Sequence, residues 1–488
     1  MKHKIILVLI LVSAFFLRTY RTQDFLGFWY DQGRDARVVW NLIHNQKLFL
    51  VGPTTGIEGI FLGPFYYYFI TPAYFLGQGN PVFPSVFLAG LNVLAIYFLY
   101  RIGLEFFSQA TGLLTAALVS FSSELVRYHR WLSNPTPLPF FALVTFWSIL
   151  KIISSSPRKR YWLSLGLGIG LSLQLEAASA IFFIPSTFII LLLNRKSLIT
   201  NRNNFIFLFL PFIATLVPQI LFNIRHQNIL LNSFVKFLIG ERSFQPMVTV
   251  LFTNRLALYY QFFISKLFTL PWAMLLFVVL SIVLVLLVRR HLTSKPVLST
   301  IIWCLTPAAI LLFYHGNKGY LWDYYFTGAY PVFMLLVASV WTQVSFHFPK
   351  SRVVVIFLIS LFLFQNLKNN YVFYTQALPG YISLTPQLSA IDWVYADATG
   401  QAFNTDVYVP PIVPLAYDYL FLWLGSNKYG YQPSTTLQTR LYTIQEPDWE
   451  HPTPLNNWLT RQTYYSSLET TKSFGPLTVQ RRYRHKFN

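Results

Sequence analysis

Apolar runs of near membrane-crossing length recur from the first residues to about residue 364, and nothing else constrains the fold as much. A helix needs about 20 mostly apolar residues to cross roughly 30 Å of hydrocarbon. About eleven runs are candidate spans: Lys4–Tyr20, Val82–Tyr100, Ala110–Leu125, Leu138–Ile152, Tyr161–Leu175, Ala178–Leu193, Phe205–Phe222, Leu267–Val288, Leu298–Tyr314, Phe326–Trp341 and Val353–Phe364. Only 11% of residues are charged, against about a quarter in soluble domains. The chain therefore reads as an all-α polytopic membrane protein. Its formal charge of +20 calls for no nucleic acid, because cytoplasmic helix ends collect Lys and Arg. Anionic lipid and phosphate are the natural partners.

The charges also set the expected orientation. Met1-Lys2-His3-Lys4 and the following apolar run resemble a signal peptide, but the run ends in Arg18-Thr19-Tyr20-Arg21 with no small-residue cleavage site. An uncleaved first span with a cytoplasmic N-terminus is expected. Phe65–Leu76 is apolar enough to be a further span, and counting it would invert every later helix. Without it, Arg101, Lys151, Arg158-Lys159-Arg160, Arg195, Lys196, Arg202, Arg289, Arg290, Lys295, Lys350 and Arg352 all fall in cytoplasmic loops, as the positive-inside rule requires. Phe65–Leu76 is then an outer interfacial helix opened by Pro64 and shortened at Thr71-Pro72. Asp24, Asp31, Asp35, Glu58, Glu124, Glu241 and Asp323 fall outside, and Glu105 inside. Glu176 falls at a short outer turn between two runs, where a carboxylate is a functional candidate.

Beyond about residue 366 no run is long enough to span. Helix-like segments at Pro386–Ala398, Pro414–Leu424 and Leu455–Arg461 alternate with strand-like ones at Ala402–Val409, Thr439–Ile444 and Gly475–Arg481. The expected organisation is a membrane domain over 1–367, including a first outer loop at 21–81, and a small extracytoplasmic α/β domain over 368–488. The single Cys304 excludes a disulfide or Cys-metal framework.

The chemistry concentrates on the outer side. In Tyr30-Asp31-Gln32-Gly33-Arg34-Asp35, a helix places Asp31, Arg34 and Asp35 at i, i+3 and i+4 on one face. An Arg between two carboxylates holds both ionised near neutral pH. Asp31 is the candidate base and Asp35 its competitor, with Arg34 as a binding group. Glu58 lies in the same loop. An aromatic stretch, Phe65-Tyr66-Tyr67-Tyr68, follows Gly63-Pro64, and Tyr66 and Tyr67 are candidates for stacking on a sugar. Arg127, His129 and Arg130 precede Asn134-Pro135, and Arg225-His226 end the seventh run. Lys318 is a further candidate cation. Outer cations near helix ends run against charge sorting, and binding an anion is the simplest task for them. Arg suits phosphate because its planar fork makes two charge-assisted hydrogen bonds. No His/Asp cluster has metal-ligand spacing. No cofactor is expected beyond a lipid-linked donor, and the metal requirement stays open.

At these residues the chain resembles the GT-C superfamily, in particular the bacterial and archaeal relatives of protein O-mannosyltransferases and lipid A aminoarabinose transferases. The shared features are an Asp-x-x-Arg-type motif after the first span, an outer surface helix opening with Pro and a Tyr run, and an outer C-terminal domain. The likeness covers about residues 1–367 in layout. It implies a GT-C fold with a polyprenyl-phosphate sugar as donor, and by position makes Asp31 catalytic. The acceptor would be a glycan, lipid or protein hydroxyl at the plasma membrane. One feature departs from that pattern. Family members often carry Lys or His just before the Pro that opens the surface helix, where this chain reads Leu62-Gly63-Pro64.

Two other function classes make different demands. A lipid-linked glycan polymerase or ligase places its arginines in large outer loops between later spans. A lipid or glycan transporter shows internal repeats and broken midplane helices, and the sequence contains neither. Orientation is directly testable. With Cys304 replaced by Ser, a single Cys at Gln78 should react with a membrane-impermeant maleimide in intact cells. Labelling only in inverted vesicles would overturn the surface-helix reading.

Overall fold

The computed structural model describes residues 2–154, 158–195, 202–240, 248–316, 319–376, 380–410 and 413–485. Each of the eleven apolar runs is largely helical. The chain opens with α1 (Lys2–Thr19), the one-turn α2 (Thr22–Phe25), α3 (Tyr30–Asn45) and α4 (Phe65–Leu76). Next come α5 (Val82–Phe106), α6 (Gln109–Phe121), α7 (Ser123–His129), α8 (Leu138–Ile153), α9 (Lys159–Leu175), α10 (Ala177–Ala180) and α11 (Phe183–Leu193). The bundle is completed by α12 (Phe205–Arg225), α13 (Ile229–Gly240), α14 (Val248–Ile264), α15 (Pro271–Val288), α16 (Lys295–Leu312), α17 (Tyr330–His347) and α18 (Arg352–Thr375). Among the described residues, five helical stretches are long and apolar enough to cross a membrane: Val82–Phe106, Phe205–Arg225, Pro271–His291, Lys295–Leu312 and Pro349–Thr375. The protein is a multi-pass membrane protein.

Two breaks in the expected runs have polar causes. The 110–125 run is interrupted at Ser122, whose side chain caps α7 by accepting from the Leu125 amide. Asn366 of α18 receives the Ser123 amide at 2.8 Å and donates to the Leu267 carbonyl at 2.8 Å. Buried backbone groups freed at a helix break need such partners. The 178–193 run breaks after Ala180, and α11 starts at Phe183.

The surface helix forms over the expected residues but continues through Pro72 to Leu76, so the expected shortening at Thr71-Pro72 does not occur. Its buried stripe is Tyr66, Tyr67, Ile70, Ala73 and Tyr74, a helical spacing that turns one face to α3 and α5. The helices α13 and α14 are additional to the sequence reading. Asn232, Ser233 and Lys236, then Thr253, Asn254 and Arg255, interrupt their apolar runs.

The C-terminal unit contains α19 (Leu384–Ala398), β1 (Asn404–Tyr408), α20 (Leu415–Leu424), β2 (Arg440–Gln445), α21 (Pro452–Tyr465), β3 (Ser466–Phe474) and β4 (Leu477–Arg484). The sheet order is β1-β2-β4-β3, with β1 and β2 parallel and the remaining pairs antiparallel. The sequence reading had no β3. Most of that strand is exposed, so it lacks the alternation that marks a half-buried strand.

This unit sits on the 20–80 segment. Leu384 donates its amide to the Leu26 carbonyl at 2.9 Å, and Trp29 Nε1 donates to the Ile382 carbonyl at 2.8 Å. The Tyr419 hydroxyl reaches the Gly79 carbonyl at 2.6 Å, and Trp423 Nε1 reaches the Gln78 carbonyl at 2.8 Å. Gly33 is the contact that admits no side chain. A Cβ there would lie 2.4 Å from the backbone of Leu415 and Ala416, so the two backbones approach only because Gly33 lacks one. Gly33→Ala should push α3 and α20 apart and cost about 1–3 kcal/mol as an overpacking change. The measurements are thermal unfolding in detergent and release of a C-terminal fragment by limited proteolysis. Wild-type behaviour in both would contradict this close packing.

Candidate active site

The acidic motif lies in the first turns of α3. That helix starts at Tyr30 because the Gln32 side chain accepts from the Trp29 amide at 3.1 Å. Asp31, Arg34 and Asp35 share one face. Arg34 Nη1 lies 2.9 Å from Asp31 Oδ1, and Nη2 lies 2.8 Å from Asp35 Oδ1. Arg34 Nη1 also donates to Thr54 Oγ1 at 3.1 Å. The two carboxylates differ sharply in environment. The Asp31 side chain is 55% exposed and that of Asp35 only 4%. The Tyr67 hydroxyl of α4 donates to Asp35 Oδ1 at 3.0 Å. Burial pushes the Asp35 carboxyl up to about 6, against the pull of Arg34 and Tyr67. Asp31 is therefore the solvent-accessible carboxylate of the pair, and Asp35 the inner anchor of the same guanidinium. Tyr66 is wholly buried, and its hydroxyl has no hydrogen-bond partner among the described residues.

The remaining motif residues fix the helix to its surroundings. Gln32 Nε2 donates to the Leu132 carbonyl at 3.0 Å, tying α3 to the loop before α8. Gly33 receives the C-terminal unit, as described above. A six-residue stretch thus meets α4, the α7–α8 loop and α20.

The end of α9 meets the start of α4. The Phe65 amide donates to Gln174 Oε1 at 3.1 Å, joining the start of α4 to α9. A Cβ at Gly63 would lie 2.3 Å from Gln174 Cγ, so Gln174 fills the room that a larger residue before Pro64 would need. Two residues on, Glu176 ends α9 in extended backbone. It accepts from the Ala178 amide at 3.1 Å and from Asn134 Nδ2 at 3.3 Å. Burial, and after it the neighbouring Tyr325 and the charges of Glu176 and Asp31, raise the Tyr324 phenol. Beside it, Asp323 accepts from Lys266 Nζ and from the Tyr128 hydroxyl, each at 2.6 Å, and from the Tyr330 hydroxyl. The Lys266 ammonium stands 4.9 and 4.8 Å from the ring centres of Tyr128 and Tyr330. Lys266 was missed in the sequence because it directly precedes an apolar run; its only signal was its place beside the end of that run.

Among the described residues, no hydrogen bond or ion pair joins the other sequence candidates to Asp31. Arg130 donates to the carbonyls of Leu17 at 3.1 Å and Tyr20 at 2.9 Å, with its guanidinium 5.2 Å from the Tyr374 ring centre. His129 accepts from Arg18 Nε at 3.0 Å. Both are buried and bind α7 to α1 and α18. Arg127 is half-exposed and pairs with Glu124 at 3.3 Å. Arg225 and His226 are exposed at the end of α12, where the His226 ring stacks on Phe222 and Phe222 meets Phe61. Glu58 is exposed in the loop that holds Phe61. Lys318 lies outside the described residues.

The family model of dolichyl-phosphate-mannose-protein mannosyltransferases matches residues 63–222. No curated protein matches the chain. Among solved structures, ArnT from Cupriavidus metallidurans, bound to undecaprenyl phosphate, superposes with a TM-score of 0.59 at 11% identity, over 98% of this chain and 97% of that one. The archaeal oligosaccharyltransferase AglB from Archaeoglobus fulgidus, in complex with an inhibitory peptide and a dolichol-phosphate, gives 0.52 at 12% identity, over 97% of this chain and 74% of that one. At such identities the likeness speaks for architecture. It extends beyond the membrane helices to the C-terminal unit, and the stretch matched by the family model runs from the start of α4 into α12. The chain has the GT-C fold of the membrane glycosyltransferases.

Proposed function

We propose that the protein is an inverting glycosyltransferase that moves a sugar from a polyprenyl-phosphate carrier to an acceptor hydroxyl on the outer side of the plasma membrane. The observation that carries this reading is the exposed Asp31 carboxylate, held by Arg34 against the buried Asp35. ArnT, which shares the fold, binds undecaprenyl phosphate, and a carrier of that class is what such a site would use.

The proposed chemistry assigns each residue one task. Asp31 accepts the proton of the acceptor hydroxyl. The freed oxygen attacks the anomeric carbon from the face opposite the lipid phosphate. The carbon–oxygen bond to phosphate breaks, and the polyprenyl phosphate leaves with the electron pair. Arg34 keeps Asp31 ionised and in place, and Asp35 with Tyr67 keeps Arg34 in place. The lipid phosphate needs a cation of its own. Among Arg127, Arg130 and Arg225, we assign this to Arg225, which is exposed and has no carboxylate partner among the described residues. The domain boundary near residue 367 and the outward placement of the C-terminal unit belong to the same reading. The acidic cleft and that unit share α3, so both lie on one side of the membrane.

Transfer from undecaprenyl-phosphate sugars tests this reading. Asp31→Asn should reduce turnover about a hundred- to ten-thousand-fold and leave undecaprenyl phosphate bound. Arg225→Ala should instead weaken that binding by about 1.5–3 kcal/mol, as expected for a charge-assisted contact. The pH profile separates the two carboxylates. Asp35 takes up a proton as pH falls through about 6, so Arg34 loses its inner counter-charge and activity should fall with it. Asp35→Asn should be slower throughout and lack that acidic limb. Near-normal turnover in Asp31→Asn would remove the base from the mechanism.

A further inference from the structure

We propose that Thr54 binds the acceptor, its hydroxyl donating a hydrogen bond to the same acceptor hydroxyl that gives its proton to Asp31. This rests on the glycosyltransferase reading and defines the chemical group that the acceptor must present. Thr54 and Asp31 meet at one nitrogen. Arg34 Nη1 lies 2.9 Å from Asp31 Oδ1 and donates to Thr54 Oγ1 at 3.1 Å. The two oxygens can be no farther apart than the sum of those distances. That limit is close to the reach of one hydroxyl making two hydrogen bonds of about 2.8 Å. Both residues are exposed, so one ligand group can approach both.

The neighbouring threonine shows what Thr54 is not needed for. Residues 52–62 form a hairpin-like loop between α3 and α4. The Gly52 amide donates to the Leu62 carbonyl at 2.8 Å, the Leu62 amide donates to the Pro53 carbonyl at 2.9 Å, and Thr54 pairs with Phe61 in an antiparallel bridge. The Thr55 hydroxyl closes the turn by donating to the Ile60 carbonyl at 2.8 Å. The Thr54 hydroxyl accepts from Arg34 and, among the described residues, donates to none. Arg34 is already held by two carboxylates. The loop is braced from α12, where Gln219 Nε2 donates to the Phe61 carbonyl at 3.2 Å and the Phe222 ring centre lies 5.8 Å from that of Phe61. Thr54 therefore sits on a fixed support, as a positioning group must.

A threonine hydroxyl has one hydrogen to donate besides its acceptor lone pairs. With the Arg34 bond accepted, Thr54 presents a donor to a ligand, and the Asp31 carboxylate presents an acceptor. Only a group that both donates and accepts satisfies the pair. An alcohol does: its proton passes to Asp31, one lone pair takes the Thr54 hydrogen, and the other attacks the anomeric carbon. An ammonium has no lone pair to accept with, and that of an amide nitrogen is delocalised, so the pair selects an alcohol. The Thr54 bond is already made when the acceptor binds, so it contributes to binding more than to the chemical step.

The test follows release of undecaprenyl phosphate from undecaprenyl-phosphate-linked glucose, mannose, galactose and arabinose by purified full-length protein in lipid nanodiscs. Methyl glucoside is titrated as the alcohol acceptor. Thr54→Val should raise the KM for methyl glucoside about two- to tenfold, as expected for one neutral hydrogen bond. That rise should exceed any fall in kcat and leave undecaprenyl phosphate binding unchanged. Thr54→Ser should restore the KM, and Thr54→Ala serves as the second variant if the valine form does not fold. An unchanged KM without the hydroxyl overturns the inference, as does a defect that serine does not repair. A fall in kcat alone also overturns it, because Thr54 would then only brace Arg34. If Asp31→Asn is slow while the hydroxyl-free variants keep the wild-type KM, this inference fails and the glycosyltransferase reading stands. If Asp31→Asn retains near-normal turnover, or wild type releases undecaprenyl phosphate from none of the donors, the reading beneath it fails as well.

Discussion

The structure around the acidic motif depends on one guanidinium. Arg34 presents one edge to an exposed carboxylate and another to a buried one, a use of the planar fork that a lysine's point charge would not reproduce. Burying Asp35 is unfavourable by itself, as its raised proton affinity shows. Arg34 and Tyr67 offset that cost, and in return the buried anchor fixes where Arg34 can lie. The exposed Asp31 is therefore held by a group that is itself immobilised on a packed helix. A site whose charged groups are positioned before the substrate arrives needs little reorganisation during reaction.

Other parts of the fold protect this arrangement. The α4 helix supplies Tyr67 and is tied to α9 through Gln174. Gln32 fixes α3 to the loop before α8, and Gly33 lets the C-terminal unit close over the same helix. Removing any one of these supports would move Arg34 without touching a charge. The cations at the end of α1 and just after α7 serve a different joint. Arg130 and Arg18 satisfy carbonyls at the end of α1 and around the α6–α7 break, where an irregular backbone would otherwise stay unpaired.

Much of this was legible in the sequence, for local reasons. The i, i+3, i+4 spacing put Asp31, Arg34 and Asp35 on one face, and α3 does so. Charge asymmetry separated Phe65–Leu76 from the spans, and it forms a helix with one buried face. Non-local facts were invisible. Asp31 and Asp35 look alike along the chain, and they differ only because Tyr67 and the packed side of α3 enclose one of them. Arg130 reads as a free cation near a helix end until the Leu17 and Tyr20 carbonyls arrive from far upstream. Lys266 and Tyr324 join the cleft through the turn that carries Asp323, which no local pattern marks. The edge strand β3 was missed because solvent covers most of it.

The central claim is that Asp31 and Asp35 act through one cation. A double-mutant cycle on turnover tests it most directly, using Asp31→Asn, Asp35→Asn and the pair. Residues acting through a shared partner are non-additive, whereas independent sites add within roughly 0.3–0.5 kcal/mol. The account predicts that Asp31→Asn alone costs nearly as much as both substitutions together. Strict additivity would mean that the two carboxylates work independently, and would contradict the role assigned to Arg34.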